Sequence, residues 1–139
     1  MLTLYGVYRS RASRALWLLA EAGVPFAHVP VIQAYRLADP AAADAPRNTG
    51  SADYLAVNPM GQVPALTDDS LLLTESLAIT LHLAKVYGGA LGPQTPQEEA
   101  LVLNWAFFAA TSVEEPALAI MKADPGDSAT LHANAVRLH

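Results

Sequence analysis

The sequence predicts an α/β domain built on a mixed four-stranded sheet, followed by the start of an all-α domain. A strand–helix–strand pattern occupies the first 32 residues, and a strand–strand–helix pattern occupies residues 63–87. A capped and very apolar helix then begins near residue 95. Hydrophobic residues make up 53% of the 139 residues and charged residues only 15%, a balance typical of a chain that buries a core.

The first half of the α/β domain reads as a βαβ unit. Leu2–Tyr5 alternates as a short strand, and residues 12–22 form a helical stretch rich in Ala and Leu. Gly23 is placed to end this helix, and residues 26–32 read as the second strand. Residues 33–50 show no period, so we expect a long loop there.

The second half reads as a ββα unit. Residues 51–57 predict a short helix capped by Ser51. Residues 63–67 and 71–73 predict a hairpin joined by an Asp-Asp-Ser turn, and a helix follows that ends near Tyr87. The resulting βαβ–ββα order on one mixed sheet is that of the thioredoxin-like fold.

The domain organisation follows from a Gly- and Pro-rich linker at residues 88–95, between a domain at 1–87 and a partial helical domain at 96–139. The helical domain opens on Thr95 as N-cap, Pro at the first helical position and Glu98 at the third, which is a capping box. This helix is too apolar to face water, so we expect further chain or a partner subunit to cover it.

Composition also excludes several classes of function. The net charge of −5 and the absence of a basic tract argue against nucleic acid as the partner. The chain has no Cys, so any reactive sulfur must arrive with a ligand, and the four His show no metal-site spacing. The longest apolar stretch, residues 100–110, is shorter than the about 20 residues that a membrane span needs. With no signal peptide visible, a cytoplasmic protein without membrane or metal partners is expected.

Three segments carry a more specific signal. They are residues 4–26, residues 58–66, which read Asn-Pro-Met-Gly-Gln-Val-Pro-Ala-Leu, and residues 73–79, which read Leu-Thr-Glu-Ser-Leu-Ala-Ile. In this order and at these spacings they resemble the glutathione S-transferase family, in its bacterial type with a serine active site. The resemblance implies a thioredoxin-like domain with glutathione as co-substrate, a hydrophobic electrophile as second substrate, a homodimer and a role in detoxification.

The resemblance also implies which residues bind glutathione. Val63 would pair through its backbone with the cysteinyl part, beside a cis bond to Pro64, and Gln62 would add a contact. Glu75 and Ser76 lie between the end of a predicted strand and the N-terminus of a predicted helix. The free N–H groups at the N-terminus of a helix attract carboxylates. Glu75 can pair with an ammonium group, so the two residues suit the γ-glutamyl end.

Ser10 is the predicted catalytic residue, because it lies between a strand end and a helix start and can donate a hydrogen bond to a thiolate. Ser13, which could instead cap the helix, and Tyr8 remain alternatives for the contact with the thiol. Arg36 and Arg47 lie in the long loop, where the family places a cation for the glycyl carboxylate, although a solvated loop arginine is an equal interpretation of each.

Two other functions stay open at this point. One is a non-catalytic module that keeps the fold for glutathione binding or dimerisation. The other is a different glutathione-dependent reaction, such as isomerisation, dehalogenation or ether cleavage. Family members carry a larger helical domain that builds most of the electrophile pocket, so residues 1–139 do not separate these reactions from conjugation.

Overall fold

The computed structural model describes residues 1–138. The chain divides into two compact units, the first spanning Met1–Gly92 and the second beginning at Pro93. This division falls inside the predicted linker at 88–95. Among the described residues, no helix is both long and apolar enough to cross a membrane.

The first unit is built on four short strands, β1 (Thr3–Tyr5), β2 (Ala27–Val29), β3 (Ala65–Asp68) and β4 (Leu71–Thr74). The order across the sheet is β2-β1-β3-β4. β1 pairs parallel with β2 and antiparallel with β3, and β3 pairs antiparallel with β4. The predicted mixed four-stranded sheet is therefore confirmed.

Three helices cover this sheet: α1 (Ser13–Glu21), α2 (Ala52–Leu55) and α3 (Ser76–Tyr87). The main core lies between one face of the sheet and the pair α1 and α3. Its fully buried members come from β1, β3 and both helices: Leu4, Leu66, Leu16, Leu19, Ile79 and Leu83. A smaller core around Ala65 and Tyr54 packs α2 on the opposite face, as the alternation of side chains along β3 requires.

The second strand is shorter than the predicted 26–32, because β2 stops at Val29. β1 ends at Tyr5, the residue that pairs with Val29, so β2 has no partner strand beyond this point. The carbonyl of Val29 accepts from the N–H of Gly6 at 3.0 Å at this end of the pair. Gly6 has φ +140°, and a Cβ there would lie 2.7 Å from the Cβ of Ala12, so only glycine fits where β1 leads into the loop before α1.

The long loop at 33–50 is closed by one buried side chain, that of Asn48. Its amide nitrogen donates to the carbonyls of Pro40 and Pro46, both at 3.0 Å, and its amide oxygen accepts from the N–H of Gly50 at 2.9 Å. Ser51 stands at the predicted N-cap position of α2, but its hydroxyl accepts from the N–H of Asn48 and makes no cap bond. The predicted position of Ser51 as N-cap is therefore confirmed, but its side chain does not make the capping bond.

The second unit contains α4 (Pro96–Phe108), α5 (Glu114–Lys122) and α6 (Ser128–Val136). Thr95 accepts from the N–H of Glu98 at 3.1 Å, which confirms the predicted start of α4. Between α4 and α5 the helix widens into a π segment, Ala109–Val113. Pro116 follows it and lacks the N–H that a regular α-helix would use, which accounts for the local change of winding.

The apolar side chains of α4 are exposed, since Leu101, Trp105, Phe107 and Phe108 keep 59%, 63%, 66% and 48% of their surface. Trp105 and Phe108 stack edge to face with ring centres 5.6 Å apart. Within the described residues nothing covers these rings, so the coverage of this helix by further chain or by a partner subunit stays a prediction.

A polar cluster ties the end of β3 to α3. Asp68 accepts from the hydroxyl of Tyr87 at 2.7 and 2.8 Å and lies 3.0 Å from Nε2 of His82. The hydrogen bond from His82, followed by the one from Tyr87, lowers the pKa of the Asp68 carboxyl. The same contact with Asp68 raises the pKa of Tyr87. Because the folded state holds Asp68 ionised, this cluster stabilises the fold only where the carboxyl is charged.

We predict that Asp68→Asn lowers the free energy of unfolding by about 1–2 kcal/mol at neutral pH, since it weakens hydrogen bonds to an ionised group. Lowering the pH below about 4, the ordinary range for Asp, protonates Asp68 first in the unfolded state and then in the folded state. The difference between the two proteins should therefore shrink there, as urea unfolding monitored by circular dichroism would show. Asp69→Asn is the control, because Asp69 is exposed and its pairing with the N-terminus should contribute little. A difference between parent and Asp68→Asn that stays constant from pH 7 to pH 3 would contradict this account.

Candidate functional site

A rigid turn precedes β3 and is anchored on the carbonyl of Gln62. This oxygen accepts from the amide nitrogen of Asn58 at 2.8 Å and also from the hydroxyl of Tyr54. The amide oxygen of Asn58 accepts in turn from the N–H of Met60 at 3.1 Å. Asn58 and Tyr54 are both buried, and burial raises the pKa of the Tyr54 phenol, which therefore stays protonated as a donor.

Gly61 completes the turn with φ +59°. A Cβ at this position would lie 2.9 Å from the carbonyl oxygen of Thr49, so the turn is tight against the long loop. The chain leaves this turn through Val63, and the Val63–Pro64 peptide bond is cis, as the resemblance implies. Within residues 1–138, neither the N–H nor the C=O of Val63 is hydrogen bonded to the protein. An extended peptide could therefore pair with this residue.

The start of α3 lies across the cleft from this turn. Ser76 is buried, and its hydroxyl accepts from Nη1 of Arg14 in α1 at 2.8 Å. This contact leaves the hydroxyl hydrogen of Ser76 to donate. Glu75 just before it is exposed and adopts φ +67°, a backbone conformation that residues with a side chain rarely take. Such strain at the mouth of a cleft is typical of functional positions.

The predicted binding residues meet at one cavity of about 40 Å³. Its walls are formed by all five of them and by three further side chains: Gln62, Val63, Pro64, Glu75, Ser76, Arg11, Asn58 and Thr74. Segments that are distant in the sequence thus converge here, together with the free backbone groups of Val63 and the N-terminal end of a 12-residue helix. The arrangement suits a ligand with an extended peptide backbone and a terminal carboxylate. The role of each of the five predicted residues stays a prediction.

Ser10 lies on the loop between β1 and α1, half-buried. Its hydroxyl donates to the carbonyl of Val7 at 2.6 Å and accepts from the N–H of Ala12 at 3.1 Å. The cavity wall includes its neighbour Arg11 but not Ser10 itself. To donate to a ligand, the hydroxyl hydrogen must turn away from Val7.

The two alternatives to Ser10 occupy different environments. Ser13 is the first residue of α1, while the N-cap position belongs to Ala12, so the interpretation of Ser13 as the cap is wrong. Tyr8 is 70% exposed and packs edge to face on the ring of His28, with centres 5.6 Å apart. Neither residue lines the cavity beside Ser76.

The two loop arginines are engaged elsewhere. Nη1 of Arg36 donates to the carbonyl of Arg9 at 2.7 Å, and Nε of Arg47 donates to the Asp53 carboxylate at 2.7 Å. In the described part of the chain, no cluster of three or more His, Asp or Glu could hold a metal ion.

Sequence reasoning missed the specific part that Arg14 plays. In the structure, Arg14 has a defined partner, Ser76, 62 residues away. No local sequence pattern predicts this contact, because it depends on how α1 packs against α3. The buried Asn58 was a better signal, since an asparagine before Pro in a turn commonly hydrogen bonds to nearby backbone groups.

Comparisons of the sequence and of the structure with known proteins both point to one family. Residues 1–85 match the family model described as the glutathione S-transferase N-terminal domain. Glutathione S-transferase 3 of Schizosaccharomyces pombe is 30% identical over 117 residues, which cover 81% of this chain and 43% of that protein.

Two solved structures extend the likeness to the described helices of the second unit. Glutathione transferase F2 of Populus trichocarpa is 26% identical with a TM-score of 0.74, covering 99% of this chain and 65% of that one. The theta-class glutathione S-transferase of Xanthomonas axonopodis pv. citri, solved with glutathione bound, is 29% identical with a TM-score of 0.70, covering 98% and 64%. The chain spans about half the length of the curated relatives it matches.

We predict that Asn58→Ala lowers the free energy of unfolding by about 1–3 kcal/mol, because it removes the acceptor of the Met60 N–H and one of the two buried donors to the carbonyl of Gln62. Urea unfolding followed by circular dichroism measures the change. Met60→Ala in the same turn is the control, and as an exposed substitution it should cost about 0.5 kcal/mol or less. Equal decreases in the free energy of unfolding for the two variants would show that the hydrogen bonds of Asn58 do not stabilise the turn.

Proposed function

Because the chain belongs to the glutathione S-transferase family, we propose that it binds glutathione in the cleft between Val63 and Ser76 and uses it as the co-substrate of a transferase. The observation that carries the proposal is the convergence of Gln62, Val63, Pro64, Glu75 and Ser76 on one cavity. A hydrophobic electrophile is the proposed second substrate, and detoxification the proposed role.

The γ-glutamyl end is proposed to lie at the start of α3. Its carboxylate accepts from the hydroxyl and the N–H of Ser76, where the first N–H groups of the helix have no intrahelical partner. Arg14 supports this contact in two ways, since it fixes the orientation of the Ser76 hydroxyl and adds positive charge nearby. The Glu75 carboxylate pairs with the γ-glutamyl ammonium.

The cysteinyl part is proposed to pair with Val63. Antiparallel pairing uses both backbone groups of one residue, and the N–H and C=O of Val63 are both without a partner in the described chain. This contact is independent of the cysteine side chain. It therefore fixes the position of the thiol without using the sulfur, and leaves the sulfur exposed to Ser10 and Arg11.

Thiol activation by Ser10 is proposed on energetic grounds. A free thiol has a pKa of about 8.5, and lowering it by about two units requires roughly 2.7 kcal/mol of preference for the thiolate. A hydrogen bond to a charged group supplies about 1.5–3 kcal/mol, and the N-terminus of α1 adds about 0.3–1 kcal/mol. The carbonyl of Val7 now accepts from Ser10, and a thiolate, as a charged acceptor, is the stronger competitor for that hydrogen.

One observation favours a second candidate, a non-catalytic glutathione-binding module. Ser10 already donates to Val7 and does not line the cavity beside Ser76. If this contact persists with ligand bound, glutathione is held but its thiol is not activated. Isomerisation, dehalogenation and ether cleavage gain no support from any contact of residues 1–138.

A cytoplasmic homodimer is the proposed state of the protein. The exposed apolar side chains of α4 support coverage by another polypeptide surface, since Trp105 and Phe107 are each more than half exposed. The acidic net charge of −5 supports the absence of nucleic acid from the proposed partners.

We predict that Ser10→Ala keeps its affinity for glutathione within about twofold at about pH 5, where the bound thiol is protonated in both proteins, but raises the pKa of the bound thiol by about 1–2 units, as one lost hydrogen bond to a thiolate requires. Calorimetry measures binding, and ultraviolet thiolate absorbance measures the pKa. Ser13→Ala and Tyr8→Phe are the comparison variants and should leave the thiol pKa unchanged. If the parent protein itself does not lower the pKa of bound glutathione, the non-catalytic candidate replaces the transferase.

Ser76→Ala is expected to weaken glutathione binding by roughly 10- to 100-fold, because a hydrogen bond to a charged carboxylate contributes about 1.5–3 kcal/mol. Calorimetric titration gives the dissociation constant. Ser70→Ala, in the exposed turn between β3 and β4, is the matched control and should bind as the parent does. Unchanged affinity in Ser76→Ala would remove the start of α3 from the binding site.

A further inference from the structure

The Ser10 loop, residues 6–12, connects β1 to α1. Both hydrogen bonds of the Ser10 hydroxyl, to Val7 and from Ala12, stay within this loop. They fix the side chain relative to the loop, but they do not fix the loop relative to the cleft. The position of the Ser10 hydroxyl therefore depends on contacts that reach the loop from other segments.

A half-buried histidine on β2 holds the first residue of the loop. Nε2 of His28 lies 2.8 Å from the carbonyl oxygen of Gly6. Because a carbonyl oxygen only accepts, Nε2 carries the hydrogen, both in the matching neutral tautomer and in the imidazolium. The ring of His28 also packs edge to face against Tyr8, with ring centres 5.6 Å apart. His28 thus contacts the loop through a hydrogen bond at one residue and through ring packing at another.

An arginine of the long loop holds the peptide unit that precedes Ser10. Nη1 of Arg36 donates to the carbonyl of Arg9 at 2.7 Å. This carbonyl belongs to the same planar peptide unit as the N–H of Ser10. On the other side, the carbonyl of Ser10 accepts from the N–H of Ser13, the first residue of α1, at 3.1 Å. The two peptide units that flank Ser10 are therefore each tied to a different segment.

We propose that His28 and Arg36 are positioning residues for Ser10, an inference that rests on the proposed function. Each binds a backbone carbonyl of the Ser10 loop, and both act through the loop without contact with the thiol. Together they hold the loop in place while the hydroxyl hydrogen of Ser10 turns from Val7 to the thiolate. A donor that is fixed before the charge develops stabilises that charge without reorganisation. A mobile loop would lose part of this stabilisation in ordering its backbone.

The placement of both side chains separates positioning from direct binding. Neither lines the cavity beside Ser76, where the five predicted glutathione-binding residues meet. Their loss should therefore leave the affinity for glutathione with a protonated thiol nearly unchanged. It should instead lower the preference for the thiolate, because a charged thiolate accepts the Ser10 hydrogen strongly and a neutral thiol only weakly.

The test uses the full chain and two measurements: the thiol pKa of bound glutathione from ultraviolet thiolate absorbance, and the affinity from calorimetry at about pH 5, where the thiol is protonated. His28→Phe keeps an aromatic ring but removes the donor to Gly6. Arg36→Met removes the donor to Arg9. Each should raise the pKa of the bound thiol by about 0.5–1 unit, while the affinity at that pH changes less than about twofold.

The decisive step repeats both substitutions in the Ser10→Ala background. If the two side chains act through Ser10, neither substitution should raise the thiol pKa further once the hydroxyl is gone. Loss of the Arg36 charge acting directly on the thiolate would instead raise the pKa equally in both backgrounds. Equal increases in the two backgrounds would therefore overturn the inference.

Two matched controls come from α6 and its end. His132 and Arg137 are both exposed, and Arg137 donates to Glu115. His132→Phe and Arg137→Met should keep the thiol pKa and the affinity of the parent. Arg36 is exposed as well, so the measurement at Arg36 does not depend on whether His28→Phe folds.

Two further results would contradict the proposal. An unchanged thiol pKa in either single variant would remove that residue from the positioning role. Weaker binding at about pH 5 with an unchanged thiol pKa would show that the side chain contacts the ligand itself.

Failure of the proposed function gives a different result. A parent that does not bind glutathione, or a Ser10→Ala variant with the thiol pKa of the parent, withdraws thiol activation by Ser10 and the inference together. A parent that lowers the thiol pKa, with His28→Phe and Arg36→Met raising it only while Ser10 is present, supports the inference.

Discussion

The fixed carbonyl of Gln62 is the constraint on which the candidate site depends. Asn58 and Tyr54 both donate to this oxygen from buried positions, so the peptide plane that precedes Val63 has one orientation. The backbone groups of Val63 then face the cleft without partners in the described chain. A carbonyl held by two donors is costly to rotate, because each donor would be left buried and unpaired. A preformed edge of this kind can bind an extended peptide without first ordering itself.

A long-range contact places polar groups beside that edge. Arg14 reaches from α1 to the Ser76 hydroxyl at the start of α3, and these helices enclose the main core against the sheet. The packing of Leu16 and Leu19 against Ile79 therefore sets the distance between the guanidinium and the hydroxyl. Stability and binding are thus coupled in the first unit, and a change in the core between these helices would also move a group that faces the ligand.

The sequence was informative wherever a local rule governs the structure. Strand alternation and helix-stop residues predicted the four-stranded mixed sheet and its helices, and the motifs at 58–66 and 73–79 predicted which residues would meet at the cleft. The predicted end of β2 was wrong because β1, its partner strand, ends opposite Val29. The role of Arg14 could not be predicted, because it depends on a contact with Ser76, which lies 62 residues away in the sequence. The apolar pattern of α4 predicted that further chain or a partner subunit covers the helix, and the exposure of Trp105 and Phe107 in the described structure leaves that prediction open.

The central claim is that glutathione lies along the backbone of Val63 and ends at Ser76. The most direct measurement is a titration of the isotope-labelled chain with glutathione, monitored through the backbone amide resonances in nuclear magnetic resonance spectra. The account predicts that the amides of Val63 and Ser76 shift together and saturate at one ligand concentration. It also predicts little change at Asp69, at the opposite end of β3 from Pro64. Saturable shifts that avoid Val63 and Ser76, or no shifts at all, would contradict it.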